Sequence, residues 1–448
     1  MSGKSNHRAR IPEGILILLV AFSVCVLTIS IFSHQESSGL SFLLDVSATG
    51  SSVDGHFLFE TIITAVVEAG DEIVRMKNEE IKSGEVNDAP GSSSGGQFFG
   101  KYPDGSKELH TRADAMSHKM IGRVREVFPG ITVVDEEDAN GEWRKPQPLQ
   151  RVSPRLKNVG KDEAVSASRL LNLRGKSSLP LAELALFVDP LDATLEYSEG
   201  LTEFVSVSAC VTRCGRPIAG VVYFPFNKRI YWSRAHSDVH VNFDAQTAIS
   251  AERSVSADWE LEGKSSSGNV DSNTCCENGK SDRRASLSDS RSVSGSLEAI
   301  DEWDRGIRVI GSRSRKSKNA SLANVVDLID SLVERRRRED QTGGQSLDAT
   351  YLKAGGAAFK IVELVEGRAD AYLHPNKIRK WDLCASEVLL KSKGGQISSW
   401  GGNEVDYCVY ERRQDKESIE DVEQFVVEGV VAASGPLLHH DIFKGIKG

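Results

Sequence analysis

The stretch Leu186-Phe187-Val188-Asp189-Pro190-Leu191-Asp192-Ala193-Thr194 decides the fold. A hydrophobic strand ends in a carboxylate, breaks at a proline, and meets a second carboxylate at Asp192; proline removes a ladder donor and Asp suits a helix cap. Such a turn gathers Asp189, Asp192 and the Leu191 carbonyl around one point. Oxygen-only donors suit magnesium, which prefers octahedral ligands at about 2.0–2.1 Å and keeps water and phosphate oxygens. Two such ions about 3.5–4 Å apart clamp a phosphoryl group. Read alone, the same string is a common turn with a helix N-cap.

Company changes that reading. Ile131-Thr132-Val133-Val134 is a β-branched run, expected as a buried strand, and it closes in Asp135-Glu136-Glu137-Asp138. Asp382 stands between Trp381 and the apolar Leu383-Cys384-Ala385 at a helix start, and Asp114 ends Thr111-Arg112-Ala113-Asp114 at another. Four separate strand or helix ends thus carry acid, more than chance placement gives.

Outward from these ends, apolar positions between Phe57 and Met76 follow the three-and-four spacing of an amphipathic helix, and Ala115 to Val127 repeats it. Leu184–Val188, Phe204–Val211 and Ile218–Phe224 read as strands, the last two joined by a hairpin at Cys214-Gly215-Arg216-Pro217. Polar stretches at 83–105 and 139–179 read as a loop and an insertion, and 251–302 as an insertion without order. Order resumes with a strand at Ile307–Ile310 and a helix at Ser321–Arg336, whose Arg335–Arg338 run is a solvated end. Residues 355–367, 369–373, 381–393 and 429–434 alternate helix and strand. The pattern predicts an α+β first half over 54–250 and an α/β second half over 303–448, stacked together.

The first residues set the compartment. From Gly14 to Phe32 the chain reads GILILLVAFSVCVLTISIF without a charge, long enough as a helix to span a hydrocarbon core of about 30 Å. Lys4, Arg8 and Arg10 precede it, so the positive-inside rule keeps residues 1–13 cytosolic and sends the remainder across. A type II signal anchor over 14–32 with a stem over 33–53 is expected; a cleaved signal peptide is the competitor. Beyond the span the compartment permits oxidised thiols. Cys210, Cys214, Cys275, Cys276, Cys384 and Cys408 show no zinc spacing and read as buried or incidental thiols, and Asn319-Ala320-Ser321 is a glycosylation sequon. With 55 Lys and Arg against 64 Asp and Glu, a formal net charge of −9, and no basic run with interleaved aromatics, coating of a nucleic-acid polymer is excluded.

The ordered set Thr-x-Ala-Asp, Asp-Glu-Glu, DPLDAT, Gly-Gly-Ala-Ala-Phe-Lys and Lys-Trp-Asp-Leu-Cys-Ala-Ser resembles the lithium-sensitive, magnesium-dependent inositol monophosphatase superfamily. Within it, the alanine in DPLDATLEYSEGL and the membrane span are most similar to the 3′(2′),5′-bisphosphate nucleotidases and their Golgi-resident members. The resemblance implies an α+β, layered αβαβα sandwich. It implies two or three magnesium ions on Glu136, Asp189, the Leu191 carbonyl, Asp192 and Asp382, with Asp114 and Thr194 activating the attacking water. It further implies substrate contacts from Ala193, Thr194, Ser312, Arg315, Gly356 and Lys360, although Arg315 stands where the related nucleotidases commonly have histidine. The expected enzyme removes the 3′-phosphate of 3′-phosphoadenosine 5′-phosphate in the Golgi lumen, clearing the by-product of sulfation. An inositol phosphate phosphatase, an added phosphoadenosine phosphosulfate hydrolase activity and a dead binding scaffold are the rivals, and a homodimer is left open.

Overall fold

The structure, a computed structural model, describes residues 52–83, 98–101, 107–110, 113–114, 121–136, 178–235, 237–242, 247–248, 306–313, 321–339, 348–410 and 423–447. The expected anchor at 14–32, the expected stem apart from Ser52 and Val53, which belong to a strand, nearly all of the 139–179 insertion, the 251–302 insertion, Glu137, Cys275, Cys276, Arg315 and Asn319 lie outside them. Among the described residues no helix is long and apolar enough to cross a membrane.

In chain order the elements begin with β1 (Ser52–Asp54), α1 (Gly55–Ser83), β2 (Phe98–Lys101), β3 (Lys107–His110), α2 (Arg123–Val127) and β4 (Thr132–Asp135). They continue with β5 (Ser178–Pro180), β6 (Leu184–Asp192), α3 (Thr194–Glu199), β7 (Ser206–Arg213), β8 (Arg216–Phe224), β9 (Arg229–Arg234) and β10 (His240–Asn242). After these come β11 (Ile307–Ser312), α4 (Ser321–Glu339), β12 (Ala349–Ala354), α5 (Ala357–Val365), β13 (Ala371–Arg379), α6 (Lys380–Ser392), β14 (Gln396–Ser399), β15 (Val426–Ala433) and α7 (Pro436–Lys447).

Two sheets organise them. The first runs β10-β9-β8-β7-β6-β4, antiparallel except for the parallel β4–β6 pair. The second runs β12-β11-β13-β15-β14, with β11 parallel to both β12 and β13, and β15 antiparallel to its two neighbours. Helix α1 covers one face of the first sheet, α5 and α6 fill the space between the sheets, and α4 with α7 covers the far face of the second. The order of layers is therefore α, β, α, β, α, as the resemblance implies.

Local chemistry explains the joints. Along α1, Leu58, Phe59, Ile62, Val66, Ala69 and Ile73 recur at helical spacing and are fully buried, while Asp54 Oδ1 accepts from the Phe57 amide at 2.9 Å and caps the start. The β7–β8 hairpin turns on Cys214 and Gly215, both at positive φ (50° and 70°), a pair that matches the twist of the flanking strands. At Gly220 of β8 an added Cβ would stand 2.5 Å from the Ala385 carbonyl, so only glycine lets the α6 backbone lie against the sheet.

Two expectations need correction. Strand β6 does not break at Pro190; it continues to Asp192 through a register shift between Asp189 and Asp192. In that bulge the ladder does not require the proline's missing N–H. Nor are Cys210, Cys214, Cys384 and Cys408 incidental thiols, since Cys210 of β7 is bonded to Cys384 of α6, and Cys214 and Cys408 are also disulfide-bonded. The Cys210–Cys384 link spans 174 positions, so the pairing is a product of the fold and no local spacing announces it.

Candidate active site

The acidic residues meet where strand ends of the first sheet face the helix starts of the middle layer. The parallel β4–β6 pair registers Asp135 with Val188, which brings Glu136 and Asp189 side by side one residue further along each strand. Asp189 is buried, its Oδ1 accepts from the Leu191 amide at 3.1 Å, and its carboxyl hydrogen-bonds that of Glu136. Burial above all, then the neighbouring Asp192 and Asp382 charges, holds Asp189 well above the usual carboxylate range, against the lowering effect of the Glu136 bond.

The bulge in β6 turns Asp192 toward the start of α5. Asp192 Oδ1 accepts from the Ala357 amide at 3.2 Å and Oδ2 from the Ala358 amide at 3.0 Å, so the carboxylate caps the helix from another chain segment. Gly356 makes the approach possible. Its φ is +59°, and a Cβ there would sit 2.9 Å from Asp192 Oδ2 and 3.0 Å from the Phe204 carbonyl. Burial raises Asp192, while the Lys360 ammonium and the two amides oppose the rise.

Thr194 opens α3. Its Oγ1 lies 3.2 Å from Asp114 Oδ1 and 3.0 Å from the Leu191 carbonyl oxygen, joining residues separated by 80 positions. Ala193 just before it is left-handed, φ 69° and ψ 42°, a conformation that costs a non-glycine residue about 1–2 kcal/mol. Asp382 lies in the first turn of α6, where its Oδ2 accepts from the Arg379 amide at 3.0 Å. Asp189, Glu136 and Asp114 are buried, whereas Asp192, Thr194, Asp382, Ser312 and Gly356 are half-buried, so the cluster opens to solvent on one side.

The expected substrate contacts divide. Ser312 ends β11 opposite Ala354 of β12, which leads into Gly355 and Gly356, so Ser312 and Gly356 share one end of the second sheet. Lys360 is 4% exposed and turned inward: its Nζ donates to the Gly356 carbonyl at 2.7 Å and stands 5.3 Å from the Tyr372 ring centroid. Burial lowers its proton affinity, and Asp192, Glu196 and Asp382 restore part of it.

Sequence reading passed over Glu196 and Arg313. Glu196 is buried on α3, and Arg313 Nη1 reaches its Oε1 at 3.3 Å and Glu199 Oε2 at 2.5 Å, tying the loop after β11 to the helix that Thr194 opens. The signal available was position: Glu196 follows Thr194 by two, and Arg313 follows Ser312 directly.

Among the described residues no three acidic, His or Cys side chains already converge at ligand distance of one point. The donor set nevertheless fits a hard divalent cation, because every donor is oxygen and buried like charge is concentrated around Asp189.

The sequence profile of the Inositol monophosphatase family matches residues 60–300 and 302–424. Inositol monophosphatase 3 of Danio rerio is 26% identical over 404 residues, covering 88% of this chain and 90% of that protein. The Golgi-resident adenosine 3′,5′-bisphosphate 3′-phosphatase of Bos taurus is 23% identical over 368 residues, covering 81% of this chain and 75% of that protein. Among solved structures, the extragenic suppressor protein suhB of Bartonella henselae matches 87% of this chain and 98% of its own at 13% identity and a TM-score of 0.48.

Proposed function

The chain belongs to the inositol monophosphatase family and is a phosphatase, and from that premise we propose that it hydrolyses the 3′-phosphate of 3′-phosphoadenosine 5′-phosphate to adenosine 5′-phosphate and inorganic phosphate in the Golgi lumen. The observation that carries the chemistry is the Thr194 hydroxyl, set between Asp114 Oδ1 and the Leu191 carbonyl beside buried carboxylates. Donating to Asp114, Thr194 Oγ1 keeps its lone pairs for a water molecule. As that water attacks phosphorus in line with the leaving 3′-oxygen, its proton passes to Thr194 and the threonine proton to Asp114, while the bond from phosphorus to the 3′-oxygen breaks and that oxygen takes a proton from solvent. Asp189, Asp192, Glu136, Asp382 and the Leu191 carbonyl would hold two or three magnesium ions, which neutralise the carboxylates and polarise the phosphoryl oxygens.

The nucleotide is supported by the name of the Golgi-resident relatives and by Ser312 and Gly356 at one sheet end beside the cluster. The lumen is supported by the disulfide-bonded Cys210, Cys214, Cys384 and Cys408, since such bonds persist in oxidising compartments. The membrane-anchored, type II arrangement rests on residues 14–32 of the sequence.

Phosphate release by the detergent-solubilised full chain tests the reading, from 3′-phosphoadenosine 5′-phosphate and from inositol 1-phosphate, with magnesium and with added lithium, beside Thr194→Val. Magnesium-dependent, lithium-inhibited release from the nucleotide, lost in the variant, is expected. Preference for inositol 1-phosphate overturns the substrate and keeps the chemistry.

A further inference from the structure

Three segments that are distant in sequence meet at the carboxyl group of Glu196. It stands on α3 two positions after Thr194 and is 6% exposed. One contact is the turn into α5: a Cβ added at Gly355 would stand 2.4 Å from Glu196 Cδ, so the carboxyl group lies directly on that backbone. Gly356, the next residue, receives Asp192 in the same way. The other contact is Arg313, whose Nη1 donates to Glu196 Oε1 at 3.3 Å and to Glu199 Oε2 at 2.5 Å. A single guanidinium nitrogen therefore clamps two carboxylates that neighbour each other on one helix face.

The main chain of Arg313 is held as well. Its amide donates to the Ala354 carbonyl at 3.1 Å, and Ser312 before it is registered opposite Ala354, which leads into Gly355 and Gly356. Ser312, Arg313 and the glycine turn thus form one assembly at the end of the second sheet, and the clamp fastens it to α3. Helix α3 is fixed independently, by Thr194 Oγ1 between Asp114 and the Leu191 carbonyl and by the buried Tyr197. The side that depends on the clamp is therefore the sheet end. Stability does not account for Glu199, whose side chain is 42% exposed. Ion pairs at such exposure contribute little, and a carboxylate in the last turn of a helix faces its negative end.

We propose that Arg313 is a positioning residue: its clamp on Glu196 and Glu199 holds Ser312 and the Gly355–Gly356 turn against the helix that carries Thr194, and so sets how tightly the nucleotide is bound without touching it. The proposal rests on reading Ser312 and Gly356 as nucleotide contacts.

The test compares kcat and KM for 3′-phosphoadenosine 5′-phosphate in the full chain, in Arg313→Gln, in Glu199→Ala, in the double variant and in Arg313→Lys. Glutamine leaves the buried Glu196 a donor, and Glu199→Ala removes only an exposed carboxylate, so it carries the test if the glutamine chain melts low. Each single variant at Gln or Ala is expected to raise KM about threefold or more, with kcat within about twofold, and the double variant to be no worse than Arg313→Gln, because both changes break one device. Lysine should recover most of the loss, since one ammonium can make both bonds. Effects that multiply in the double variant overturn the proposal, as does a lysine chain that behaves like the glutamine one. A KM raised by Arg313→Gln but not by Glu199→Ala also overturns it, and makes Arg313 a direct nucleotide contact. A fall in kcat at unchanged KM overturns it by placing the effect on Thr194. A parent chain inactive on the nucleotide overturns the substrate reading together with the proposal, whereas an active parent whose variants all match it overturns the proposal alone.

Discussion

Asp189 and Asp192 lie on one strand, three positions apart, and live in opposite electrostatic worlds. Around Asp189 the protein adds like charge: Asp192 and Asp382 both raise it, against a single backbone amide, that of Leu191, and a hydrogen bond with another carboxyl, Glu136. Around Asp192 the protein supplies its own compensation, two backbone amides at the start of α5 and the Lys360 ammonium. One half of the site therefore waits for an outside cation and the other is already organised. A buried charge that the fold leaves uncompensated is expensive, and it is retained where something else completes it.

Asp189→Asn breaks this contrast most sharply. Phosphatase activity is expected to fall by more than about a hundredfold, the upper end of what even outer partners of a metal site cost. Without magnesium the same variant should melt higher, because a neutral amide removes buried like-charge repulsion, at about 2–4 °C per kcal/mol for a domain of this size. Kinetics and melting curves with and without magnesium check both arms; a loss of stability in the cation-free state would show that Asp189 is not the strained side.

Lys360→Met attacks the compensated half. Removing one partner of a buried charge interaction costs about 3–5 kcal/mol, and here the Gly356 carbonyl also loses its donor. The expected result is a lower melting temperature and a kcat reduced about tenfold, with KM for the nucleotide little changed. A raised KM with an unchanged melt would instead make Lys360 a direct substrate contact.

These two halves were not equally legible. The acidic ends of β4 and β6 could be read because β-branched runs closing in Asp or Glu declare both strand and site, and the Thr194–Asp114 pair followed from the family resemblance. The direction of Lys360 could not, since a lysine on a glycine-started helix has the same sequence whether it faces solvent or the Tyr372 ring. Edge strands β12 and β14 were passed over because ATYLKA and QISS are short and mixed, and an edge needs no continuous apolar run.

Proton linkage sharpens the comparison further. Asp189 and Asp192 both bind protons more tightly in the folded, cation-free chain than the ordinary value of 3.8. The folded state then holds more protons than the unfolded one above that value, so these groups lower stability as pH rises through the window between the ordinary and the raised values. A cation requires them ionised. Magnesium should thus bind more tightly as pH rises through the same window, with protons released, measurable by calorimetry in two buffers of different ionisation enthalpy. Proton release that disappears in Asp189→Asn assigns most of it to the uncompensated half; release that persists unchanged assigns it to Asp192.

The smallest effect lies at the joint between the halves. Ala193 holds a left-handed backbone conformation between Asp192 and Thr194, where a methyl group costs about 1–2 kcal/mol. Glycine would remove that strain but would also give the unfolded chain about 0.4–1 kcal/mol of extra freedom to lose. Ala193→Gly should therefore gain no more than about 1 kcal/mol, a rise of a few degrees in melting temperature, and leave activity within about twofold, because the backbone amide and the Thr194 hydroxyl stay where they are. If activity instead drops well beyond that while the melt rises, the strain is part of how Thr194 is aimed between Asp114 and the Leu191 carbonyl, and the turn itself belongs to the catalytic machinery.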